Sequence, residues 1–567
     1  MAYRIMENCV GCQKCKVECP TGAIYLTKEI LKVDEQKCVS CGLCSSICKE
    51  SAVIDEEAPA EELTKIEEVR ELECDVLVLG GGGAGMVAAA RAADGTGLKV
   101  IVAEKEKKTG GGAWYAADFK MFNSKWQLDR GIPDKLEEDL LKAMDATYWK
   151  LNPELIRECY KATGKFFDWV CETGENVEDE FREGFYIFDG PDGPKVPVFK
   201  KMRHGKQGGT GKFMMDHMLM LCEKNGVNIL AGTAAISMKK EGNKIVSVLL
   251  EDGAGKINVK CKNVVLATGS WIENQKLLEK ADPKFAKMKK VRSAHRSTAY
   301  TGDGIKMAEE IGVPIDYESM CLRLMGPLFM PSDGTPYQTF GAMTFDPSVI
   351  HINLDGKRWF NEQYGGRAGF FSQAIPLREQ KGGISYMIFD TNCIETAYKK
   401  SMSGEIPPSP FPVPQVVENW EDDMDAAIGE YGYALFKAAS LDELADKMGI
   451  DAAKFKETIT EYNEACQIGF DAKFCKDKSA LIEINKAPYY ALRCEMATDG
   501  AFGGIPIAPS LKVKSNEDNT FENLYAAGDI TNGRYINQGG IKVQVINDLA
   551  WAFASGFMVA EHIKKNN

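Results

Sequence analysis

Residues Asp75 to Asp94 have the sequence DVLVLGGGGAGMVAAARAAD, an apolar run followed by a glycine cluster and an alanine-rich stretch. The apolar run has the length of a buried strand, and the alanine-rich stretch has the composition of a helix. Gly80, Gly82 and Gly85 satisfy the spacing G-x-G-x-x-G. In such a loop the first glycine permits a tight turn, the second lets the backbone approach a pyrophosphate, and the third allows close helix–strand packing. This stretch therefore predicts a strand, a phosphate-binding turn and a helix.

A second strand is predicted at Lys99 to Ala103 (KVIVA), and it ends in Glu104. Glu104 comes nineteen residues after Gly85, about where a dinucleotide fold carries the acid that binds a ribose hydroxyl. Another glycine cluster, Gly110 to Gly112, follows soon after. A glycine-rich loop without a ligand is the alternative interpretation, and the acid at the expected distance disfavours it.

The first fifty residues contain a doubled run of cysteines, which accounts for eight of the 18 cysteines in the chain. Each run has the spacing C-x2-C-x2-C-x3-C, and the two runs are Cys9, Cys12, Cys15, Cys19 and Cys38, Cys41, Cys44, Cys48. This spacing is that of bacterial two-cluster ferredoxins, in which three thiolates of one run hold one [4Fe–4S] cluster and the fourth ligates the other. By that crossed rule Cys48 completes the cluster held by the first run, and Cys19 completes the other.

Disulfides and structural zinc are the competing interpretations of these cysteines. A disulfide framework needs an oxidising compartment, and the first residues, MAYRIMENCVGC, have no apolar signal segment. A zinc site typically uses two C-x2-C pairs and does not need a third cysteine two residues further on. Pro20 follows the first run as expected, whereas Lys49 replaces proline after the second, a change that removes no ligand.

Length and charge limit the remaining possibilities. The chain has 567 residues, which is too many for one core, and a net charge of −13, which disfavours a nucleic-acid partner. No run of eighteen apolar residues occurs, so no membrane span is expected. The other cysteines are scattered singly, which favours the reducing cytoplasm. The charged stretch from Glu56 to Glu73 is predicted to be a solvated linker or a short helix.

Two later stretches, Asn263 to Gly269 (NVVLATG) and Leu524 to Asp529 (LYAAGD), are predicted strands that end in small-residue turns. Together with the two glycine clusters, they resemble the flavoprotein subunits of the fumarate reductase and succinate dehydrogenase family from about Cys74 onwards. The resemblance implies an α/β fold: a Rossmann-like FAD-binding domain with an inserted α+β capping domain, besides the small α+β ferredoxin-like domain. The implied boundaries are ferredoxin 1–57, linker 58–73, FAD-binding domain 74–290 and 500–567, and cap 291–499.

The resemblance also implies which residues contact FAD. Glu104 would bind the adenosine ribose, Asp529 the ribitol or pyrophosphate, and Gly110 to Gly112 would line the isoalloxazine. The full implied set is Gly80, Gly82, Gly83, Ala84, Gly85, Glu104, Lys105, Gly110, Gly111, Gly112, Ala235, Ala267, Thr268, Gly269, Gly528, Asp529, Gly540 and Val543.

Catalytic residues are implied by three further stretches: TGDGIKMA from Thr301, NLDGKRWFNE from Asn353, and TDGAFGG from Thr498. In the fumarate-reducing members an arginine shortly after the second stretch delivers a proton, and Arg367 takes that place here, one residue later than in the family pattern. Arg323 falls near the first histidine of the family's cap. His295 and Tyr535 are further candidates to approach the flavin or substrate, and Tyr115 and Tyr300 are alternative acids.

The chain departs from the family where the substrate carboxylates are held. Asp499 to Phe502 replaces a histidine pair, and Gln538 stands where the last substrate arginine is expected. Glutamine cannot supply the charge of a bidentate arginine, so a C4 dicarboxylate is a poor candidate substrate. Trp114, Tyr115, Phe502 and Tyr535 favour a larger, less charged enone, aryl-acrylate or cyclic ketone.

The resulting hypothesis is an anaerobe-type reductase. An external low-potential donor (a ferredoxin, flavodoxin or oxidoreductase) supplies electrons, which pass through two [4Fe–4S] clusters to FAD and reduce an activated C=C bond. Three alternatives remain open: a dehydrogenase running in the oxidative direction, a sulfur-directed variant related to adenylylsulfate reductase, and a non-catalytic electron-relay subunit. The sequence leaves open whether the chain forms a homo-oligomer.

Overall fold

The computed structural model divides the chain into two compact units, residues 1–67 and 68–567. It describes residues 3–5, 14–17, 19, 23–26, 31–34, 37–38, 43–46, 48, 52–55, 69–116, 119–174, 181–187, 195–201, 210–287, 299–325, 337–344, 346–362, 376–403, 416–495, 497–533, 537–538, 541–542 and 548–566.

The smaller unit has two similar halves. Its elements are β1 (Tyr3–Ile5), α1 (Lys14–Val17), β2 (Ile24–Leu26), β3 (Leu31–Val33), α2 (Leu43–Ser46) and β4 (Val53–Asp55). β1 pairs antiparallel with β4, and β2 pairs antiparallel with β3. α2 and β4 repeat α1 and β2 with the spacing that separates the two cysteine runs. Cys15, Ile24 and Leu31 form its small core.

The larger unit begins with the elements of the dinucleotide-binding domain. They are β5 (Arg70–Leu79), α3 (Gly83–Ala93), β6 (Val100–Glu104), β7 (Phe119–Lys120), α4 (Lys125–Asp129), α5 (Leu136–Ala146), α6 (Pro153–Thr173), β8 (Phe181–Ile187), β9 (Lys195–Lys201), α7 (Thr210–Lys224), β10 (Asn228–Ala231), β11 (Ala234–Glu241), β12 (Lys244–Asp252), β13 (Gly255–Leu266), α8 (Gln275–Ala281), α9 (Pro283–Ala286) and α10 (Asp303–Glu310).

The remaining elements form the cap and return the chain to the first domain. They are β14 (Cys321–Met325), α11 (Gln338–Met343), β15 (Ile350–Asn353), β16 (Ile384–Asp390), α12 (Thr391–Met402), α13 (Trp420–Tyr431), β17 (Leu435–Ala438), α14 (Leu441–Met448), α15 (Ala452–Ile468), β18 (Tyr489–Glu495), β19 (Ala497–Phe502), β20 (Lys512–Lys514), β21 (Thr520–Ala526), β22 (Asn537–Gln538), β23 (Ile541–Lys542) and α16 (Asp548–Asn566).

The central sheet has the strand order β10-β6-β5-β13-β12-β11, and β21 pairs with the end of β13. β10, β6, β5, β13 and β21 run parallel, so their carboxyl ends meet at one edge. The buried run Val76 to Leu79 is covered by α3, as the apolar strand and alanine-rich helix predict. The predicted Rossmann-like fold is confirmed.

Two predicted boundaries differ from the structure. Arg70 to Glu73, assigned to the linker because they are mostly charged, begin β5 and pair with β13 through backbone hydrogen bonds, which do not depend on side-chain polarity. α10 was placed in the cap, yet Ile305, Met307 and Ala308 are buried in the core of the dinucleotide-binding domain.

The cap has its own core. Its sheet has the order β15-β16-β18-β17, with all neighbours antiparallel. Helices α11 to α15 contribute to the apolar cluster beside this sheet, including Tyr462 of α15. A buried ion network lies within it: Arg358 donates to Glu362 at 2.9 and 2.7 Å and to Asp471 at 2.9 Å. The Lys476 ammonium lies 3.6 Å from Glu362.

α16 closes the dinucleotide-binding domain. A β-carbon on Gly556 would overlap the Ala84 carbonyl, so α16 crosses α3 at backbone contact. Arg91 of α3 donates to Glu561 at 2.8 Å, and Lys564 donates to the Asp94 carbonyl at 2.9 Å. Of the helices in the described ranges, none combines the length and hydropathy that a membrane crossing requires.

Candidate cofactor site

The loop between β5 and α3 is shaped by its glycines. Gly80 has a φ of +106°, and a β-carbon there would overlap the Ala267 carbonyl at the end of β13. A β-carbon on Gly85 would overlap the Gly80 carbonyl, which explains the close strand–helix packing. Gly82 is different, because no described atom lies within 4 Å of its β-carbon position. Packing in the described protein therefore does not require glycine at residue 82, whereas a ligand approaching the backbone would.

Glu104 ends β6 with its carboxylate bound to two backbone amides. Its Oε2 accepts from the Gly81 N–H at 2.7 Å and its Oε1 from the Glu106 N–H at 2.8 Å. The Glu104 carbonyl accepts from the Thr233 N–H at 2.8 Å. Ala235, just beyond Thr233 in β11, is thereby held close to the end of β6. The predicted ribose acid and the predicted residue Ala235 thus belong to one edge of the sheet.

The turn after β13 brings a buried hydroxyl to the same edge. Thr268 Oγ1 is buried and has no hydrogen-bond partner among the described residues. Gly269 follows with a φ of +74° and open space at its β-carbon position. Gly304, in the first turn of α10, lies so close to Thr268 Oγ1 that a β-carbon would overlap it. Buried hydroxyls are normally hydrogen-bonded, so an unpartnered one marks this turn as a candidate for contact with a polar ligand.

Lys105 joins this edge to the start of α10. Its ammonium donates to Thr301 Oγ1 and to Asp303 Oδ2, both at 2.6 Å, and Thr301 Oγ1 donates to Asp303 Oδ1 at 2.8 Å. The family resemblance implies that Lys105 contacts FAD. In the structure its ammonium holds the TGDG turn against the end of β6.

The second glycine cluster lies directly against the first loop. Gly110 forms an isolated parallel β-bridge with Gly82, and its N–H donates to the Gly81 carbonyl at 2.7 Å. A β-carbon on Gly110 would overlap the Trp114 ring, whose Nε1 donates to the Thr109 carbonyl at 2.5 Å. A β-carbon on Gly112 would lie 2.7 Å from the Tyr300 hydroxyl oxygen. The two loops, which are separated in sequence, form one continuous glycine surface.

The turn after β21 completes the edge. Gly528 has a φ of +76°, and its N–H donates to Ser555 Oγ of α16 at 2.9 Å. Its carbonyl accepts from Trp551 Nε1 at 3.1 Å. The Asp529 carbonyl accepts from the Gly503 N–H at 2.9 Å, which ties this turn to the strand returning from the cap.

These features fit a bound dinucleotide. The open position at Gly82 lies at the N-terminus of α3, where backbone amides and the helix dipole favour a pyrophosphate. Thr268 Oγ1 offers a polar group with no partner among the described residues. The residues that would hold FAD are therefore the loops at residues 80–85, 110–112, 267–269 and 528–529, with Glu104 between them.

Next to this edge, three strand segments mark a candidate substrate region. β14 pairs with β19, so Arg323 lies opposite Gly500, and β23 of the hairpin that carries Gln538 lies beside β14. The structure thus brings together the backbone of three stretches that the sequence singled out. Phe502 is buried, and its ring lies within 3.1 Å of a β-carbon position on Gly500. Five predicted residues lie outside the described residues: Arg367, His295, Tyr535, Gly540 and Val543.

Five of the eight predicted cluster ligands are described. Cys15, Cys19 and Cys44 pack at the small core, and Cys38 and Cys48 are half-buried. The Ala23 N–H donates to Cys19 Sγ, and the Ala52 N–H donates to Cys48 Sγ, both at 3.3 Å. Inward sulfurs that accept backbone N–H groups fit thiolates bound to iron, because such bonds stabilise their negative charge. Cys9, Cys12 and Cys41 lie outside the described residues.

The described histidines have structural surroundings. His217 Nε2 lies 3.0 Å from Thr173 Oγ1, and burial lowers the pKa of His217. His351 is fully buried against Trp359 and Phe360, and its two ring nitrogens have no partner among the described residues. Burial lowers the pKa of His351 to about 4, so the ring is neutral at pH 7.

Sequence reasoning missed Ser555 and Gly556. Both lie on α16: Gly556 packs against Ala84, more than 450 residues earlier, and Ser555 accepts from the Gly528 N–H in the turn after β21. A serine–glycine pair inside the otherwise apolar LAWAFASGFMVA was the one available signal.

Two family models match the chain. The FAD binding domain model matches residues 75–540, and the 4Fe-4S dicluster domain model matches residues 8–52. The first spans most of the chain and includes every loop of the cofactor edge.

Two curated relatives are each 25% identical to this chain over the aligned residues. The NADH:fumarate oxidoreductase of Klebsiella pneumoniae is 25% identical over 462 residues, 81% of this chain and 44% of that protein. The NADH:acrylate oxidoreductase of Vibrio harveyi is 25% identical over 523 residues, 81% of this chain and 47% of that protein. The chain thus spans about half the length of these relatives.

The fold is similar to that of a solved flavocytochrome c3 fumarate reductase in its open conformation. The TM-score is 0.63 at 22% identity, over 87% of this chain and 78% of that one. From the extent of the FAD binding domain match, the chain belongs to the flavoprotein family of the fumarate reductases and succinate dehydrogenases, joined here to a 4Fe-4S dicluster domain.

Proposed function

We propose that the chain is an iron–sulfur flavoprotein reductase, which reduces an activated C=C bond of an enoate or enone with electrons relayed through two [4Fe–4S] clusters to FAD. The observation that carries the proposal is the presence of a dicluster domain and an FAD binding domain in one chain. When bound, the clusters supply electrons singly, and the flavin combines two of them for hydride chemistry. The donor is an external low-potential electron carrier.

Different parts of the chain are proposed to bind the clusters, bind FAD and enclose the flavin. The eight cysteines of the two runs hold the clusters, and the sulfurs of Cys19 and Cys48 accept hydrogen bonds from backbone N–H groups. The Gly82 backbone and the N-terminus of α3 receive the pyrophosphate. The cap gives the flavin edge an enclosing second domain, which an electron-relay subunit would not need.

The substrate is proposed not to be a C4 dicarboxylate. Gln538 stands where the resemblance places the arginine that would hold a second carboxylate, and Asp499 to Phe502 stands where it places a histidine pair. A carboxylate without a charged partner in a site closed to water is strongly disfavoured. One relative is named for acrylate, a compound with a single carboxylate, which supports a substrate with fewer than two carboxylates.

Arg367 is the proposed proton donor. Arginine guanidinium groups in general have a pKa above about 12, so an arginine donates only when the transition state develops a strongly basic carbon next to it. Arg367→Gln should slow turnover about 100-fold or more while iron and FAD contents stay unchanged. Arg378→Gln is the comparison, because that arginine is bound to Asp282 at 2.6 Å. Equal activity of the Arg367 variant and the wild type would remove Arg367 from this role.

The substrate test follows reoxidation of the flavin. The anaerobically purified protein is reduced with a low-potential chemical reductant and mixed with fumarate, acrylate, an aryl-acrylate or a cyclic enone. We expect the aryl-acrylate or the enone to reoxidise the flavin fastest. Failure of every compound would overturn the reductase assignment, and fastest reoxidation by fumarate would overturn the substrate class.

Gln538→Arg sharpens the same test. It restores a guanidinium at the predicted clamp position, so fumarate turnover should rise relative to the aryl-acrylate. Gln467→Arg, on an exposed face of the cap, is the matched control that adds the same charge elsewhere. An equal effect of both variants would show that the charge acts non-specifically.

Iron content tests the clusters. Cys15→Ser should lower the bound iron from about eight to about four atoms, because it removes one ligand of a single cluster. Cys475→Ser, at an exposed cysteine of the cap, should leave iron unchanged. Full iron content in the Cys15 variant would contradict the ligand assignment.

A further inference from the structure

Ser270 lies in the turn after β13, two residues beyond Thr268, and its hydroxyl has a different use. Its Oγ accepts a hydrogen bond from the Ala501 N–H of β19 at 3.0 Å, across 231 residues of sequence. The Ile272 N–H donates to the same oxygen at 3.4 Å within the turn. Thr268 Oγ1, by contrast, has no partner among the described residues. One hydroxyl of this turn therefore holds a distant strand.

The bond between the turn and β19 is closed to water. Ser270 is 2% exposed, and both Ala501 and the neighbouring Trp271 are 0% exposed. An N–H group that loses its partner in such a place cannot bind water instead, so it stays unpaired at a cost in free energy. The bond from Ser270 is therefore a fixed connection to β19.

The pairing of β19 with β14 is irregular close to this bond. Arg323 lies opposite Gly500, but Leu324 lies opposite Thr498, so Asp499 is skipped. A skipped residue bends its strand, and a slip of the register by one residue would turn every side chain to the other face. The bond from the turn reaches the strand two residues beyond the skipped one, where it opposes such a slip.

A second bond holds the chain just after β19. The Gly503 N–H donates to the Asp529 carbonyl in the turn after β21 at 2.9 Å. Backbone atoms alone make this second bond, whereas the first depends on the Ser270 side chain. Both turns belong to the cofactor edge, and β14 and β19 belong to the candidate substrate region. The position of that region relative to the cofactor edge thus depends on a single hydroxyl at Ser270.

We propose that Ser270 is a positioning residue for the reduction, whose hydroxyl fixes the register of β19 and with it the distance between substrate and flavin. This inference rests on the proposed function. Ser270 acts through β19 and needs no contact of its own with substrate or flavin. A displacement of about 1 Å between reacting groups can slow a reaction about 100-fold.

The first test compares two oxidants of the reduced flavin. Ser270→Ala leaves the Ala501 N–H unpaired, so reoxidation by the aryl-acrylate or enone should slow about 10- to 100-fold at saturating substrate. Reoxidation by ferricyanide, an electron acceptor that needs no substrate site, should keep the wild-type rate, and FAD content should stay unchanged. A wild-type rate with the substrate, or equal slowing with both oxidants, would overturn the proposal.

Ser124→Ala is the matched control in the same domain. Ser124 is also a buried serine, and its Oγ accepts from the Gln127 N–H at 3.1 Å at the start of α4. Both variants should lower the melting temperature, but only Ser270→Ala should slow the reaction with substrate. Equal slowing in the two variants would show that lost stability causes the effect, and the positioning role would fail.

Ser270→Cys provides a graded variant, since sulfur accepts hydrogen bonds only weakly. Its rate with substrate should lie between those of wild type and Ser270→Ala, and a rate below that of Ser270→Ala would count against the proposal. Wild-type protein separates the two levels. If ferricyanide reoxidises its flavin but no unsaturated compound does, the proposed function fails, and this inference with it. If wild type and Ser270→Ala reduce the substrate equally fast, only the role of Ser270 fails.

Discussion

In the dinucleotide-binding domain, glycines allow backbone segments to approach each other more closely than a side chain would permit. In the cap, by contrast, charged side chains are buried together. Gly82 has open space at its β-carbon position, and the buried hydroxyl of Thr268 has no partner among the described residues. Arg358 and Glu362, by contrast, satisfy each other with two short hydrogen bonds and are sealed from water. The ion network of the cap has its partners within the cap, whereas the glycine loops leave an open position beside the N-terminus of α3.

The largest effect should come from opening the cap network. Arg358→Met leaves Glu362 and Asp471 buried with Lys476 as the remaining described cation, which should cost about 3–5 kcal/mol of unfolding free energy. Denaturant unfolding followed by tryptophan fluorescence measures it. Lys486→Met, which breaks an exposed pair with Glu395, is the control and should cost under about 1 kcal/mol. Similar losses in both variants would erase the distinction between the two regions.

The buried histidine of the cap should make its stability depend on pH. The pKa of His351 falls from 6.5 in the unfolded chain to about 4 in the fold. Between these values the unfolded chain binds more protons, so stability is lost as pH falls from 6.5 to 4, by about 3 kcal/mol in total. His351→Phe keeps the ring contacts with Trp359 and Phe360 and should flatten this dependence. If the unfolding free energy of His351→Phe depends on pH between 4 and 6.5 as steeply as that of the wild type, the prediction is contradicted.

A pair of glycines separates packing from ligand binding. Gly85→Ala meets the Gly80 carbonyl and should cost about 1–3 kcal/mol of stability even without cofactor. Gly82→Ala has open space, so the cofactor-free protein should melt like wild type while FAD affinity falls. Thermal melts with and without FAD distinguish the two. Full FAD affinity in Gly82→Ala would show that the edge does not receive the cofactor there.

The smallest effect should come from an ion pair of the dinucleotide-binding domain. Lys105→Met breaks the pair with Asp303, whose side chain is 42% exposed, and should cost about 1 kcal/mol or less. Asp303→Asn tests the same pair from the other side. A loss as large as that of Arg358→Met would mean that this region also depends on charge.

The same contrast explains what the sequence could predict. The strand from Asp75, the glycine loops, Glu104 and the cysteine runs are local patterns, in which spacing along the chain determines spacing in the fold. The pairing of Glu362 with Lys476, and of Gly528 with Ser555 across the turn, joins segments with no common local pattern. The strand content of Arg70 to Glu73 was missed for the same reason, because it depends on the distant partner β13.

The contact between Gly556 and Ala84 has a consequence for synthesis on the ribosome. β5, α3 and β6 emerge before the cap, but β21 and α16, which complete their sheet and cover α3, emerge only after the whole cap. Domains generally fold as units during translation, so the cap, whose core lies within residues 340–494, can fold while the earlier domain still waits for its last strand and helix. We therefore expect the chain to bind flavin only near the end of its synthesis. A truncated product that lacks α16 would have a folded cap and a cofactor domain without its last helix.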